Sequence, residues 1–195
     1  MKHTEKRNEI LSAALELISE QGFHKAPMSM IADKAGVGVG TIYLYFENKD
    51  VLIKTLYREL ENEVMTAILK GYPESKSFRE RFIYIWTGLL RYFIANPLHF
   101  RYLEQYHNSP YGVSLRRDRI LSKIGDSSIF MDLFEEGLSN HTVKDLPIIM
   151  LFALAFGPMV FLARDHTLGL IKLQDTHIVQ AAAACWEAIE NRWKH

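Results

Sequence analysis

Residues 28–49 read Met-Ser-Met-Ile-Ala-Asp-Lys-Ala-Gly-Val-Gly-Val-Gly-Thr-Ile-Tyr-Leu-Tyr-Phe-Glu-Asn-Lys. The stretch parses as a short helix to about Ala35, a turn at Gly36, a second short helix over about 39–46, and a new helix start capped by Asn48. Ile31 points inward from the first helix, where Ala32 is small enough for another helix to cross closely, Val37 plugs the turn, and Ile42 and Phe46 point inward from the second. This is the grammar of a helix-turn-helix, whose second helix enters the major groove of DNA.

The flanks fit that reading. Ile10, Ala13, Ala14, Leu17 and Ile18 keep a 3.6-residue rhythm, which predicts an amphipathic helix over 4–21 with Thr4 as a possible cap and Gly22 as its stop. Ala26-Pro27 opens the next helix, with proline at the first helical position, where its missing N–H is no loss. Downstream, Leu52, Leu56, Leu60, Val64 and Ile68 recur every four residues and predict a long helix over 49–70.

Within the stretch, Val39, Gly40 and Thr41 lead the second helix, so its main chain can approach DNA closely. The Thr41 hydroxyl can bond a phosphate or a base, and its methyl can meet a thymine methyl. Tyr43 and Tyr45 each offer a phenol to phosphate oxygens, and Lys49 sits in the first turn of the following helix, where charge and free N–H groups favour an anion. Ser29 holds a comparable place in the preceding helix. The balance of 23 Lys plus Arg against 23 Asp plus Glu excludes binding by bulk charge, so any DNA contact must be local.

At these residues the chain resembles the TetR family of bacterial transcriptional regulators. The resemblance rests on Gly22-Phe23, Ile31-Ala32-Asp33-Lys34-Ala35-Gly36-Val37, Gly40-Thr41-Ile42-Tyr43-Leu44-Tyr45-Phe46 and Lys49, and covers about residues 5–55. It implies that Thr41, Tyr43, Tyr45 and Lys49 touch DNA, with Val39 and Gly40 near base edges. It also implies a ligand pocket among the central helices and a homodimer formed through the last two long helices, about 146–166 and 174–193. Two departures stand out. Ala26-Pro27 replaces the usual Thr or Ser cap, worth about 1 kcal/mol, and Ser29 stands where Arg is common. Gly38 and Gly40 loosen the start of the reading helix by roughly 1 kcal/mol each relative to alanine. A reader of thymine methyls and groove shape is the result, held on phosphates by Tyr43, Tyr45 and Lys49.

The rest of the chain is read as all-α, about nine helices in total, with a helix-turn-helix domain over 1–50 and a helical ligand-binding and dimerisation domain over 51–195. Helices are predicted over about 76–95, 98–107, 113–138 and 174–193, with a loop at Asn108-Ser109-Pro110-Tyr111-Gly112 and a possible break at Gly125. The aromatics Trp86, Tyr92, Phe93, Phe100, Phe130 and Phe134 are candidates for lining a partly apolar effector pocket, though aromatics at helical spacing also make plain core. Arg116-Arg117-Asp118-Arg119 reads as a solvated face.

Two other classes stay open at this point. The eighteen residues 146–163 carry no charge, near the lower length for a membrane span of about 20 residues. Gly157-Pro158 inside the run and its short length favour a helix buried all round, and no membrane partner is expected. Glu104-x-x-His107 has the spacing of a di-iron bundle motif, but no second such pair accompanies it, so no metal site is expected. His99, His107, His166 and His177 could converge only through tertiary structure. Gly36-Val37-Gly38-Val39-Gly40 lacks the preceding strand that a nucleotide loop needs. No nucleophile sits in a catalytic motif, so neither enzyme activity nor a cofactor is expected. Cys185, the single cysteine, reads as a small packed residue, consistent with a reducing cytoplasm.

Overall fold

The computed structural model describes residues 2–121 and 129–192. It contains ten helices among the described residues: α1 Lys2–Gln21, α2 Met28–Lys34, α3 Val39–Tyr45, α4 Lys49–Leu69, α5 Phe78–Ala95, α6 Pro97–His107, α7 Pro110–Leu121, α8 Ile129–Ser139, α9 Ile148–Thr167 and α10 Asp175–Ile189. The only extended pairing described is an isolated antiparallel bridge between Val143 and Glu190. The protein is all-α.

Several boundaries move from their sequence-based positions. α1 begins at Lys2, so Thr4 lies inside its first turn and caps nothing. Pro27 is the N-cap of α2, with extended backbone, and not its first helical residue. The loop predicted at 108–112 shrinks to Asn108-Ser109, because Pro110 itself opens α7, a position that suits proline. The single helix predicted over 113–138 is described as two, α7 and α8, and that raises the count from nine to ten. The suggested break at Gly125 lies outside the described residues.

The chain divides into two compact units. The first runs to Glu63 and takes in Asn96–Leu121; the second comprises Val64–Ala95 and the described chain after Leu121. In the first unit α6 and α7 pack with the N-terminal helices. α1 buries one side against α2 and another against α6. The Ser19 hydroxyl donates to the Leu98 carbonyl at 3.0 Å, and the Gln105 amide donates to the Ser19 carbonyl at 3.1 Å. Such pairings link residues far apart in sequence and leave no local signal.

In the first unit, Ile10, Ala14, Ile18, Ile31, Ala32, Ile42, Leu52 and Ile53 are fully buried. The four-residue stripe of α4 is buried here at Leu52, Leu56 and Leu60, and its Val64 and Ile68 are buried in the second unit. Asn48 caps this helix as expected, its Oδ1 accepting from the Val51 N–H at 2.9 Å. A second core layer is aromatic. Tyr57 stacks on Tyr106 with centroids 4.0 Å apart, and Phe23 meets Tyr102 and Tyr111 edge-on at 5.8 Å. The buried Tyr102 hydroxyl donates to the Ile53 carbonyl at 2.7 Å.

In the second unit, α5 packs on α9 and α10, and α8 on α5 and α9. α9 takes in residues 148–163 of the uncharged run and is, among the described residues, the one helix long and apolar enough to cross a membrane. Its Leu151, Ala155, Met159 and Ala163 form a buried stripe, one residue per turn. It is not buried all round. Ile149, Met150, Leu154 and Phe161 are exposed on its remaining surface. Pro158 sits inside α9 without ending it. Cys185 is buried against the core, and burial pushes its thiol pKa up, which makes it an inert packing residue.

Candidate nucleic-acid interface

The turn between α2 and α3 is closed by its own backbone. The Gly36 N–H donates to the Asp33 carbonyl at 3.1 Å and the Val37 N–H to the Ala32 carbonyl at 3.0 Å. Gly36 has φ +65°, the left-handed region in which a side chain is strained, so glycine here fixes the path into α3. Gly38 is the N-cap of α3, and no side chain caps that helix or α2.

Burying Ile42 and Phe46 dictates what α3 shows to solvent. Val39 and Gly40 are exposed, Tyr43 is half exposed, and Thr41 and Tyr45 are partly covered. Ser29 is exposed on α2. Six of the seven residues expected to meet DNA thus lie on one helix-turn-helix and reach its surface. Leu44 also faces outward from α3: at 79% exposed it is the most open large apolar side chain of the described structure. A leucine in a short helix reads as core, and only the fixed positions of Ile42 and Phe46 show that it faces outward.

Lys49 departs from a free phosphate-seeking cation. Its Nζ donates to the Phe23 carbonyl, and burial lowers its pKa from the ordinary lysine value. Lys49 therefore ties the turn after α1 to the start of α4. An ammonium has three N–H donors, so others remain for an anion. Next to it, Asp50 accepts from the Tyr111 hydroxyl at 2.6 Å, and burial together with that bond pushes the Tyr111 pKa up to about 12. Arg7 pairs with Glu59 and lies 5.8 Å over the Phe46 ring, clamping the exit of α3 between α1 and α4. The reading helix is thus braced on both sides by polar contacts that local sequence did not announce.

An exposed short helix set on a buried helix-turn-helix core defines the class: a DNA-binding regulator. Comparison with known proteins makes this specific. Residues 10–56 match the family described as bacterial regulatory proteins, tetR family, and residues 77–190 match the tetracyclin repressor-like C-terminal domain. The chain belongs to the TetR family of transcriptional regulators. It is 32% identical over 107 residues to an uncharacterized HTH-type transcriptional regulator of Haemophilus influenzae, a match covering 55% of this chain and 57% of that protein. It is 37% identical over 73 residues to the fatty acid metabolism regulator protein of Bacillus subtilis, covering 37% of this chain and 38% of that one. The matches thus span little more than half of one curated relative and well under half of the other. The fold continues through the whole chain. A TetR family regulator from Marinobacter aquaeolei superimposes with a TM-score of 0.83 at 24% identity, covering 98% of this chain and all of that one.

The aromatic candidates separate. Trp86 and Phe134 are fully buried in the second unit, and Tyr92 meets Phe93 edge-on at 6.1 Å. Phe130 and Phe134 are joined through Phe156, at 5.6 and 6.1 Å, and Phe152 completes the cluster, 4.7 Å from Phe134. Phe152 and Phe156 come from the uncharged run and were not among the candidates. Phe100 belongs to the core of the first unit.

The histidines do not form a common site. His166 and His177 each accept a backbone N–H through Nδ1, from Leu173 and Gln174, both at 3.2 Å. His107 packs edge-on against Tyr57 and Tyr106. Among the described residues no group of three or more His, Cys, Asp or Glu side chains is placed to hold a metal ion. Arg116 and Arg117 are exposed, as a solvated face requires.

Gly40 gives the first prediction. A Cβ built there meets nothing within 4 Å, so Gly40→Ala is free of clashes within the protein. It should leave thermal stability unchanged or raise it, by up to about 1 kcal/mol. If the main chain at Gly40 is to approach DNA, as the sequence pattern implies, the added methyl stands in the way and operator affinity should fall roughly tenfold, equivalent to about 1.4 kcal/mol of lost contact. Parallel melting and gel-shift titrations check the opposite signs. Equal or tighter binding by the variant would show that this backbone does not approach the groove.

Proposed function

We propose that this regulator is a repressor that binds a near-palindromic operator as a homodimer and is released by a partly apolar small molecule. The observation that carries the DNA half is the solvent-facing surface of α3, presented by a buried helix-turn-helix. In a dimer two such helices enter successive major grooves, roughly 34–36 Å apart or a little more. In this reading residues 1–50 supply the DNA contacts, with Ser29, Thr41, Tyr43, Tyr45 and the remaining donors of Lys49 on phosphates or base edges. Residues 51–195 supply the effector site and the dimer contacts. The cytoplasm, where the chromosome lies, is the place of action.

The dimer reading is supported by the apolar surface of the last two helices. Ile149, Met150, Leu154 and Phe161 of α9 and Val179 of α10 are each more than two-fifths exposed. A set of large apolar residues on adjoining helices is what a helix–helix interface buries. The same packing argues against the membrane reading of 146–163, since the buried stripe of α9 already seats it on α5 and α10. The effector reading is supported by Phe130, Phe152 and Phe156, which stay partly exposed around the buried Phe134. A relative named for fatty acid metabolism favours the same apolar class. The effector acts only through different affinity for two conformations, and α4 is the element we assign to carry the difference, because it runs from the DNA-reading part into the second unit.

The test is binding to the DNA upstream of the protein's own gene. Specific, salt-sensitive binding that an apolar effector weakens is the expected result. Absence of sequence-specific binding to any fragment of the source genome sinks the proposal. Tyr43→Phe should weaken binding by a similar factor on all operator variants, about fivefold for one lost hydrogen bond, whereas changes at Thr41 should alter base preference. A shift of base preference in Tyr43→Phe would contradict the phosphate role.

A further inference from the structure

The reading helix poses a chemical problem. Its seven residues, Val-Gly-Thr-Ile-Tyr-Leu-Tyr, contain no arginine, lysine, asparagine, glutamine or acid. Those are the side chains that read guanine, adenine or cytosine edges by paired or directed hydrogen bonds. Among base-edge features in the major groove, the thymine 5-methyl group is read by apolar contact alone. Beside the short Thr41 hydroxyl, a helix of this composition has that feature as its remaining source of direct discrimination.

The structure says which side chain is placed to do it. Leu44 is 79% exposed, against 44% for Val39. Helical side chains lean toward the N-terminus, over the residue one turn earlier. For Leu44 that residue is Gly40, which has no side chain and open space around its Cβ position. Nothing at Gly40 covers the leucine on the side toward the leading end of the helix, the end that meets base edges. Tyr43, beside it, carries a hydroxyl suited to phosphate and leaves the apolar role to Leu44. A lone exposed leucine is ordinary on a protein surface. One on the groove-facing surface of a helix lacking every charged and carboxamide reader is not.

We infer that Leu44 is a specificity-determining residue of this regulator, reading the 5-methyl group of a thymine in each operator half-site. This rests on the operator-binding reading above and names the base feature that it recognises. Ile42 and Phe46 hold the helix, so truncating Leu44 leaves the fold intact; the melting curve of the variant checks this.

The experiment begins with duplexes selected by the full-length protein from a random oligonucleotide pool. Each thymine of the selected half-site is then replaced in turn by deoxyuridine, which removes the methyl and keeps every hydrogen bond. For the unaltered protein, one thymine per half-site should show a loss of about fourfold, the value of one buried methyl group. Leu44→Ala should bind the thymine duplex more weakly by a similar factor and should show no further loss on deoxyuridine. Selection of a defined sequence with no thymine sensitive to the replacement overturns the assignment and leaves operator binding standing. So does a Leu44→Ala protein that still loses the full factor, which would place the methyl against another residue. Selection of no defined sequence overturns operator binding itself, and this assignment with it.

Discussion

Trp86→Ala should destabilise the protein by about 3–5 kcal/mol, at the upper end for a buried aromatic. The indole is fully buried on α5. Its Nε1–H donates to the Ala155 carbonyl at 2.8 Å. That bond falls beside the internal proline of α9. Pro158 has no N–H, so the Leu154 carbonyl loses its ordinary helical partner, and the proline ring strains that turn. Ala155 lies in the same turn, and Trp86 supplies a donor there from a neighbouring helix. The substitution removes a large side chain from the packing of α5 against α9 and strips the donor from the turn around Pro158. Trp86→Phe separates the two effects. It keeps most of the volume and should cost about 1–2 kcal/mol, chiefly the lost hydrogen bond. Urea unfolding followed by circular dichroism reads both variants. A loss below about 1 kcal/mol for Trp86→Ala would mean that α9 is held without the indole. If α9 carries the dimer contacts, the same variant should also shift the dimer toward monomer in sedimentation, because the surface carrying Ile149, Leu154 and Phe161 is presented by the same helix.

What sequence could show and what it could not divide along the range of the interactions. The helix-turn-helix was legible because its signals are local: the inward Ile31, Ile42 and Phe46, the glycine at 36 and the cap at Asn48 all lie within 18 residues and all hold. The stripe of α4 was legible for the same reason, since a four-residue repeat of apolar side chains has one solution. The contacts that brace the reading helix were not. Lys49 to Phe23, Arg7 to Glu59 and Tyr111 to Asp50 join residues 26, 52 and 61 positions apart. Nothing in a lysine after a cap says that it will face a carbonyl of the preceding turn. The uncharged run was ambiguous in kind. Hydropathy averages over a helix and cannot tell a helix buried all round from one with a buried stripe and an apolar outer surface. The outcome is the second, with Leu151, Ala155, Met159 and Ala163 inward. The aromatic cluster of the second unit also draws on that run. Phe130 and Phe134 share a cluster, but its centre, Phe156, sits inside the run that had been weighed only as a span or a core helix.

Gly112→Ala should loosen the first unit and weaken operator binding together. A Cβ at this position would lie 2.3 Å from the Tyr106 carbonyl oxygen and 2.5 Å from the His107 Cα. Both are backbone atoms at the end of α6, so no side chain can swing aside, and α7 itself must move. The cost expected for forced overpacking is about 3 kcal/mol. The functional loss follows from what α7 carries next door. Tyr111 stacks on Tyr106 with centroids 5.9 Å apart, meets Phe23 edge-on, and holds Asp50 by its hydroxyl. Asp50 lies in the first turn of α4, one residue after Lys49, and Lys49 holds the carbonyl of that same Phe23. A shift of α7 therefore disturbs the turn before α2 and the start of α4 at once, and α3 is suspended between them. Tyr111→Phe is the control. It keeps the ring and removes only the bond to Asp50, so it should cost about 1 kcal/mol in stability and weaken DNA binding less than Gly112→Ala does. Affinity is measured at a temperature where melting curves show both variants folded, so that loss of binding is not loss of protein. If Gly112→Ala binds operator as tightly as the unaltered protein while melting lower, α6 and α7 stabilise the unit without positioning the reading helix. If it melts at the same temperature, the close approach of α7 to the end of α6 is not maintained in solution.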